Sequence, residues 1–147
     1  LEVFDQDMVG ALWQYEQKIL AAIERFKGTV ITKDINANTI TNYLGVNLKT
    51  VKRIVSAVKE LFPSAEVSTR KVAIISAIGS DMQVPGMLAK TVSALAAANI
   101  SVLAMHQSMR QVDMQFVVNE DDYEMGVASL HRCLVEVHDH GEAICAA

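Results

Sequence analysis

Apolar side chains recur at spacings of three and four in two stretches of the first half, and this spacing predicts two amphipathic helices. The first is predicted over residues 10–27, and its apolar face consists of Leu12, Tyr15, Ile19, Ile23 and Phe26. The second is predicted over residues 48–61, with Leu48, Val51, Val55, Val58 and Phe62 on its apolar face. Gly28 is a typical helix end, and Pro63 cannot continue a helix.

Strand patterns occur before, between and after these helices in the sequence. Residues 1–4, LEVF, form a short apolar, β-branched run, and residues 29–35 and 39–44 read as two strands across a polar turn. Asn36 and Asn38 lie in this turn, where asparagine tolerates a positive φ. A short strand is predicted at residues 66–68.

The second half repeats the first at a spacing of 72. ILAAIERFKGTVI at residues 19–31 aligns with TVSALAAANISVL at residues 91–103, and extension without a gap sets Ile40 opposite Val112 and Leu44 opposite Phe116. The second copy is predicted to contain strands at 72–78, 100–106 and 112–118, a helix ending near 98 and a helix at 123–134. A repeat of this length indicates two copies of one small unit.

Each copy therefore has the order β-α-β-β-α, with a further strand available at Glu66 and again at Glu136. This order predicts an α+β fold: two ferredoxin-like βαββαβ sandwiches, each with an antiparallel sheet and both helices on one face. The predicted domains are residues 1–70 and 71–147. Exchange of terminal strands between the two remains open at this point.

Composition and charge indicate which partners and which cellular location to expect. The 147 residues are 51% hydrophobic but only 5% aromatic, and units of roughly 70 residues are marginally stable alone, which favours association of chains. The net charge of −4 provides no general attraction to nucleic acid or to a membrane. No apolar run reaches the roughly 18 residues that span a bilayer, and no export signal is evident, so a soluble, cytoplasmic chain is expected. The start at Leu1 suggests a fragment of a larger protein.

Two candidate sites are outweighed by simpler readings. The basic helix after YLGVN resembles a helix-turn-helix, but Thr39, Ile40 and Thr41 favour a strand, and the aligned turn of the second copy is acidic. His138 and His140 flank Asp139 but lack a second pair of metal ligands. Cys133 and Cys145 are expected to be reduced thiols. We therefore predict no catalytic residue and no metal site.

The strand-to-helix turns are the remaining candidates, at residues 7–10 and 79–86. Glycine permits close approach of a ligand to the backbone, and the N-terminus of the following helix offers free N–H groups to a carboxylate. An amino acid would suit such a place. The alternative is that these glycines serve only to make turns.

Residues 77–134 resemble the last ACT domain of aspartokinases. The shared features are a turn with Met followed by Pro-Gly, an Ala-rich helix, an ISV strand, a strand ending in FVV, acidic residues opening the second helix, and SLHRCL. Residues 2–72 resemble the preceding ACT domain less closely. The whole chain thus resembles a tandem ACT region, most of all that of the aspartokinases associated with ectoine synthesis.

The resemblance implies a C-terminal regulatory region of an enzyme that phosphorylates L-aspartate to 4-phospho-L-aspartate, the first step toward lysine, threonine and methionine. No KFGG-type phosphate loop occurs in the chain, so ATP and Mg are expected only in a separate kinase domain, and no cofactor is expected here. The implied partners are a second copy of the chain, the kinase domain of the same polypeptide, and threonine or lysine as effector. A structural dimerisation module that binds no effector is the alternative.

By position, the resemblance implies an effector site in each copy. In the first copy its residues are Met8, Gly10, Ala11, Val30, Ile31, Asn36 and Asn38; in the second they are Asp81, Met82, Pro85, Gly86, Gln107 and Ser108. Ile31 stands where lysine-sensitive members have an acidic residue, which weakens the case for lysine. Asn36 and Asn38 could hydrogen-bond a neutral effector such as threonine, and the same changes fit a site that has lost sensitivity.

Overall fold

The structure is a computed structural model that describes residues 1–80 and 82–135. It forms two compact units, Leu1–Arg70 and a second that begins at Lys71. We call them unit 1 and unit 2 and describe each by itself.

Unit 1 is a complete βαββαβ fold. Its elements are β1 (Glu2–Phe4), α1 (Leu12–Arg25), β2 (Val30–Asn36), β3 (Thr39–Leu44), α2 (Leu48–Leu61) and β4 (Glu66–Ser68), with a 3-10 turn at Gln6–Met8. The antiparallel sheet has the order β2-β3-β1-β4. The last strand pairs with the first, Val67 opposite Val3, so unit 1 closes its sheet with its own terminal strand.

The core of unit 1 lies between this sheet and its two helices. Ile19 and Ile23 of α1, Ile54 and Val58 of α2, and Val3 and Ile40 of the sheet are at most 2% exposed. The centre of the buried face of α2 is Ile54 together with Ala57 and Val58, whereas Leu48, predicted to lie on that face, is 59% exposed. The buried face of α2 therefore includes the predicted Val58 but turns from Leu48 toward Ile54, which is fully buried and was not predicted to lie there.

Unit 2 repeats this order as far as it is described. It contains β5 (Val72–Ile78), α3 (Met87–Ala97), β6 (Ala104–Gln107), β7 (Asp113–Asn119) and α4 (Tyr123–Leu134), with a 3-10 turn at Glu120–Asp122. Its antiparallel sheet has the order β5-β7-β6. Leu95, Met114, Phe116 and Val118 are fully buried in its core.

The α+β class and the antiparallel sheets are confirmed, and two further details of the sequence prediction are wrong. Strand β6 begins at Ala104 rather than at residue 100, because Ile100 instead fills the core at 5% exposure. The alignment without a gap fails at β3. Lys33 and Met105, 72 residues apart, have Asn42 and Phe116 as cross-strand partners, which are 74 apart, so the β6–β7 turn is longer by two residues. The predicted strand at Glu136 and the HDH triplet lie outside the described residues.

None of the helices in the described part of the chain is long and apolar enough to cross a membrane. Within the same residues, no group of three or more His, Cys, Asp or Glu side chains is arranged to hold a metal ion.

Candidate functional site in the strand-to-helix loops

The loop between β1 and α1 presents backbone to solvent. It consists of the 3-10 turn at Gln6–Met8, then Val9 and Gly10, and α1 follows Ala11. Gly10 has φ +82°, a conformation that favours glycine, and a Cβ added there would meet nothing within 4 Å. The first N–H groups of α1 have no partner within the helix, so this loop can offer donors to a carboxylate.

Met8 is a predicted site residue whose side chain cannot contact a ligand in this conformation. It is fully buried in the core of unit 1. Its carbonyl oxygen accepts a hydrogen bond from the N–H of Ala11 at 2.9 Å. Met8 therefore anchors the loop, whereas Gly10 and Ala11 form its accessible surface.

The predicted residues on β2 fall into two groups. Asn36 and Asn38 lie at the β2–β3 turn, and the Asn38 carbonyl accepts the N–H of Asp5 at 3.0 Å, which places this turn beside the loop. Val30 and Ile31 open β2 at its other end, about 20 Å away along the strand at 3.3 Å per residue. Val30 packs against the core, and Ile31 is 61% exposed. Within unit 1 the structure thus brings together the loop and the two asparagines, but not Val30 and Ile31.

Unit 2 brings its predicted residues to one end. Gly86 has φ +87° and directly precedes α3, and a Cβ there would also meet nothing within 4 Å. The loop is tied to the β6–β7 turn by hydrogen bonds from the Gly79 N–H to the Val112 carbonyl, 3.0 Å, and from the Gln83 amide to the Arg110 carbonyl, 3.2 Å. That turn starts at Ser108.

The remaining predicted residues of unit 2 differ in exposure. Met82 packs against the core, and Pro85 is exposed. Gln107 ends β6 and is half-buried, and the Ser108 hydroxyl donates to an Asp113 carboxylate oxygen at 3.2 Å. Asp81 lies outside the described residues.

The sequence analysis missed one well-defined group, the carboxylate of Asp5. Asp5 is only 5% exposed and follows β1 directly. One oxygen accepts the N–H of Asp7 at 3.0 Å, and the other accepts the hydroxyls of Tyr15 and Ser64, each at 2.9 Å. The Asp7 hydrogen bond, with those from Ser64 and Tyr15, holds the pKa of this carboxyl below its usual value despite its burial. An aspartate before a turn is a signal for the Asp7 contact, but nothing local indicates Ser64.

An acidic cleft in unit 2 is a poor place for the carboxylate of an amino acid. It is lined by Lys71, Asn119, Glu120, Asp121 and Asp122, and Lys71 pairs with Glu120 at 3.5 Å. Three acidic side chains outweigh one lysine, so the local field repels anions. The two glycine loops are the better candidates.

The chain was compared with known proteins. The ACT domain family matches residues 75–134. The aspartate kinase Ask_Ect of Stutzerimonas stutzeri (strain A1501) is 50% identical over all 147 residues, and the chain spans 31% of that relative's length.

Solved structures show the same fold at lower identity. Clostridium acetobutylicum aspartate kinase superposes with a TM-score of 0.77 at 17% identity, covering 90% of this chain and 31% of that one. A putative C-terminal regulatory domain of aspartate kinase from Porphyromonas gingivalis W83 gives 0.69 at 16% identity, with 91% of each chain covered. E. coli aspartokinase III in complex with lysine and aspartate gives 0.73 at 16% identity, covering 92% of this chain and 30% of that one. From the family match and the 50% identity, the chain corresponds to the regulatory, ACT-domain region of aspartate kinases.

Proposed function

We propose that this chain is the amino-acid sensor of an aspartate kinase, in which both units act as ACT domains. The supporting observation is the 50% identity to an aspartate kinase over the full chain, combined with coverage of only 31% of that enzyme. The catalytic part, with its ATP and Mg, would lie in the rest of the polypeptide. The parent protein would act in the cytoplasm and phosphorylate aspartate, in the pathway to lysine and threonine or to ectoine.

The effector is proposed to bind at the Gly10 loop. Its carboxylate would accept N–H groups at the start of α1, and Asn36 and Asn38 would hydrogen-bond its side chain. Ile31 offers no charge for the ammonium group of lysine, so threonine is the better candidate. Val30 and Ile31 lie at the far end of β2 from this loop, so in the proposed site they would come from the second chain of a homodimer.

Binding at this loop would regulate the kinase through a coupling free energy between the two sites. Such coupling is typically about 1 to 3 kcal/mol, or about 5- to 150-fold in affinity. The effector must therefore bind one arrangement of the enzyme better than the other, and even a weak ligand can regulate if that difference is large.

Calorimetric titration of the chain with threonine and with lysine, separately and together, tests this proposal, with sedimentation of the same samples. Saturable binding of one amino acid, lost in Gly10→Val and weakened in Asn36→Ala, would support the sensor. Gly86→Val, at the glycine with the same open, positive-φ geometry in unit 2, distinguishes the two candidate loops: loss of binding in this variant and not in Gly10→Val would place the effector in unit 2. A stable dimer that binds neither amino acid would instead favour a structural dimerisation module.

A further inference from the structure

The Asp5 carboxylate joins the Gly10 loop to α1 and to the connection between α2 and β4. The Asp7 N–H belongs to the loop, the Tyr15 hydroxyl to α1, and the Ser64 hydroxyl to the connection between α2 and β4. The last two donors are 10 and 59 residues away in sequence. We call Asp5, Tyr15, Phe62 and Ser64 the Asp5 junction.

An aromatic contact between α1 and the end of α2 also belongs to the junction. The ring of Tyr15 stacks on that of Phe62, with centroids 4.2 Å apart and planes 10° from parallel. Phe62 directly follows α2 and is 7% exposed. The end of α2 is thereby held to α1 through the rings and to the loop through the carboxylate, so displacement of any one part strains the other two.

Unit 2, as far as it is described, has the same element order with Gly79, a glycine, in place of this aspartate. The Gly79 N–H donates to a hairpin carbonyl, as the Asp5 N–H does, yet Gly79 has no side chain to fasten its loop. If Asp5 served only to cap the 3-10 turn, its carboxylate would need only the hydrogen bond from the Asp7 N–H. The hydroxyls of Tyr15 and Ser64 go beyond what such a cap needs.

We propose that Asp5 is a positioning residue that holds the Gly10 loop in its binding geometry and couples it, through Ser64, to the end of α2. This rests on the proposed function, since it assigns that loop to the effector. A change at the α2–β4 connection would then alter effector affinity without touching the ligand. The same link would carry the effect of binding outward to α2.

Amide hydrogen exchange of residues 7–11 tests the junction without any effector. Loss of a hydrogen bond to a charged group should speed local exchange by at least about 10-fold in Asp5→Asn and in Ser64→Ala. Ser64→Thr keeps the hydroxyl and should behave as wild type. Asp7→Asn, an exposed carboxylate on the same loop, is the second control. If Asp5→Asn does not fold, Ser64→Ala and Tyr15→Phe decide the outcome.

Titration with threonine and lysine then tests the coupling. Ser64→Ala should weaken binding of the active amino acid by about 10-fold in a chain that remains folded, and Ser64→Thr should restore it. Unchanged loop exchange in Ser64→Ala would overturn the proposal, as would wild-type affinity in a variant whose loop exchanges faster. If the wild-type chain binds neither amino acid, the proposed function fails, and the exchange data still decide whether Asp5 holds the loop.

Discussion

Units 1 and 2 share an element order but fill their cores in opposite ways at one contact. Gly28 and Ile100 are 72 residues apart, as are Ile54 and Gly126. A Cβ on Gly28 would lie 3.2 Å from the Ile54 Cδ1, and a Cβ on Gly126 would lie 3.7 Å from the Ile100 Cδ1. The isoleucine of this contact is Ile54 on α2 in unit 1, and it is Ile100, after α3, in unit 2. In both units an isoleucine faces a glycine at this contact, but the two residues exchange positions between the units.

The units also differ in polarity at a matched cross-strand pair. Lys33 lies opposite Asn42 in unit 1, and Met105 lies opposite Phe116 in unit 2. Phe116 is fully buried, and Asn42 is only 1% exposed. Neither amide atom of Asn42 has a hydrogen-bond partner among the described residues. Unit 1 therefore carries an uncompensated polar group where unit 2 has an apolar contact.

The largest expected effect on stability comes from truncating Ile54, the side chain that faces Gly28 in unit 1. Ile54→Ala should lower the free energy of unfolding of unit 1 by about 2 to 5 kcal/mol, because it removes a fully buried side chain. Gly28→Ala should be destabilising in both backgrounds, because its Cβ would lie 2.6 Å from the Ile23 Cγ2, but less so with Ile54→Ala, which removes the 3.2 Å contact with the Ile54 Cδ1. Urea unfolding followed by Trp13 fluorescence reports on unit 1, because the chain's one tryptophan lies there.

The control for this cycle is Val55→Ala, which truncates the adjacent, only half-buried side chain. Additive effects of Gly28→Ala and Ile54→Ala would show that the two positions do not share volume, and the compensation between the units would be rejected.

The second prediction makes unit 1 resemble unit 2. Asn42→Leu should raise the stability of unit 1 by about 1 to 3 kcal/mol, because it replaces two unsatisfied buried atoms with apolar ones of similar volume. The melting temperature reported by Trp13 measures the gain. Thr41→Val, on the opposite face of the same strand, should give little change. Destabilisation by Asn42→Leu would mean that the amide is hydrogen-bonded after all.

Helical spacing and the repeat were enough to predict the fold, because periodic burial is local information. The bounds of α2 and α4 agree with the prediction, and β4 lies at Glu66–Ser68 as expected. The Asp5 junction could not be predicted, since Ser64 is an ordinary turn residue 59 positions from its partner. The exchange of volume between Gly28 and Ile54 was also hidden, because an alignment matches positions and does not show which of them touch.

The stability of unit 1 should depend on pH in a way that unit 2 does not share, because the Asp5 carboxylate belongs to unit 1. The folded pKa of Asp5 is lowered, chiefly by the Asp7 N–H, so its ionised form stabilises the fold above its ordinary pKa near 4. This contribution should disappear as the pH falls through the lower folded value. Asp5→Asn should therefore be less stable than wild type at pH 7, and the difference in melting temperature should shrink below about pH 4. If the difference in melting temperature instead stays constant from pH 7 to pH 2, Asp5→Asn acts through altered packing and not through loss of the charge.

The smallest expected difference concerns one ion pair in each unit. Lys33 on β2 bonds Glu16 on α1, and the Glu16 side chain is 14% exposed. Lys71 and Glu120 are 3.5 Å apart, with side chains 75% and 58% exposed. Solvent screens the second pair more strongly, so Glu16→Gln should cost up to about 1 kcal/mol and Glu120→Gln close to nothing. Urea unfolding at low and high salt measures both. Equal costs in the two variants would show that burial against α1 adds nothing to the Lys33 pair.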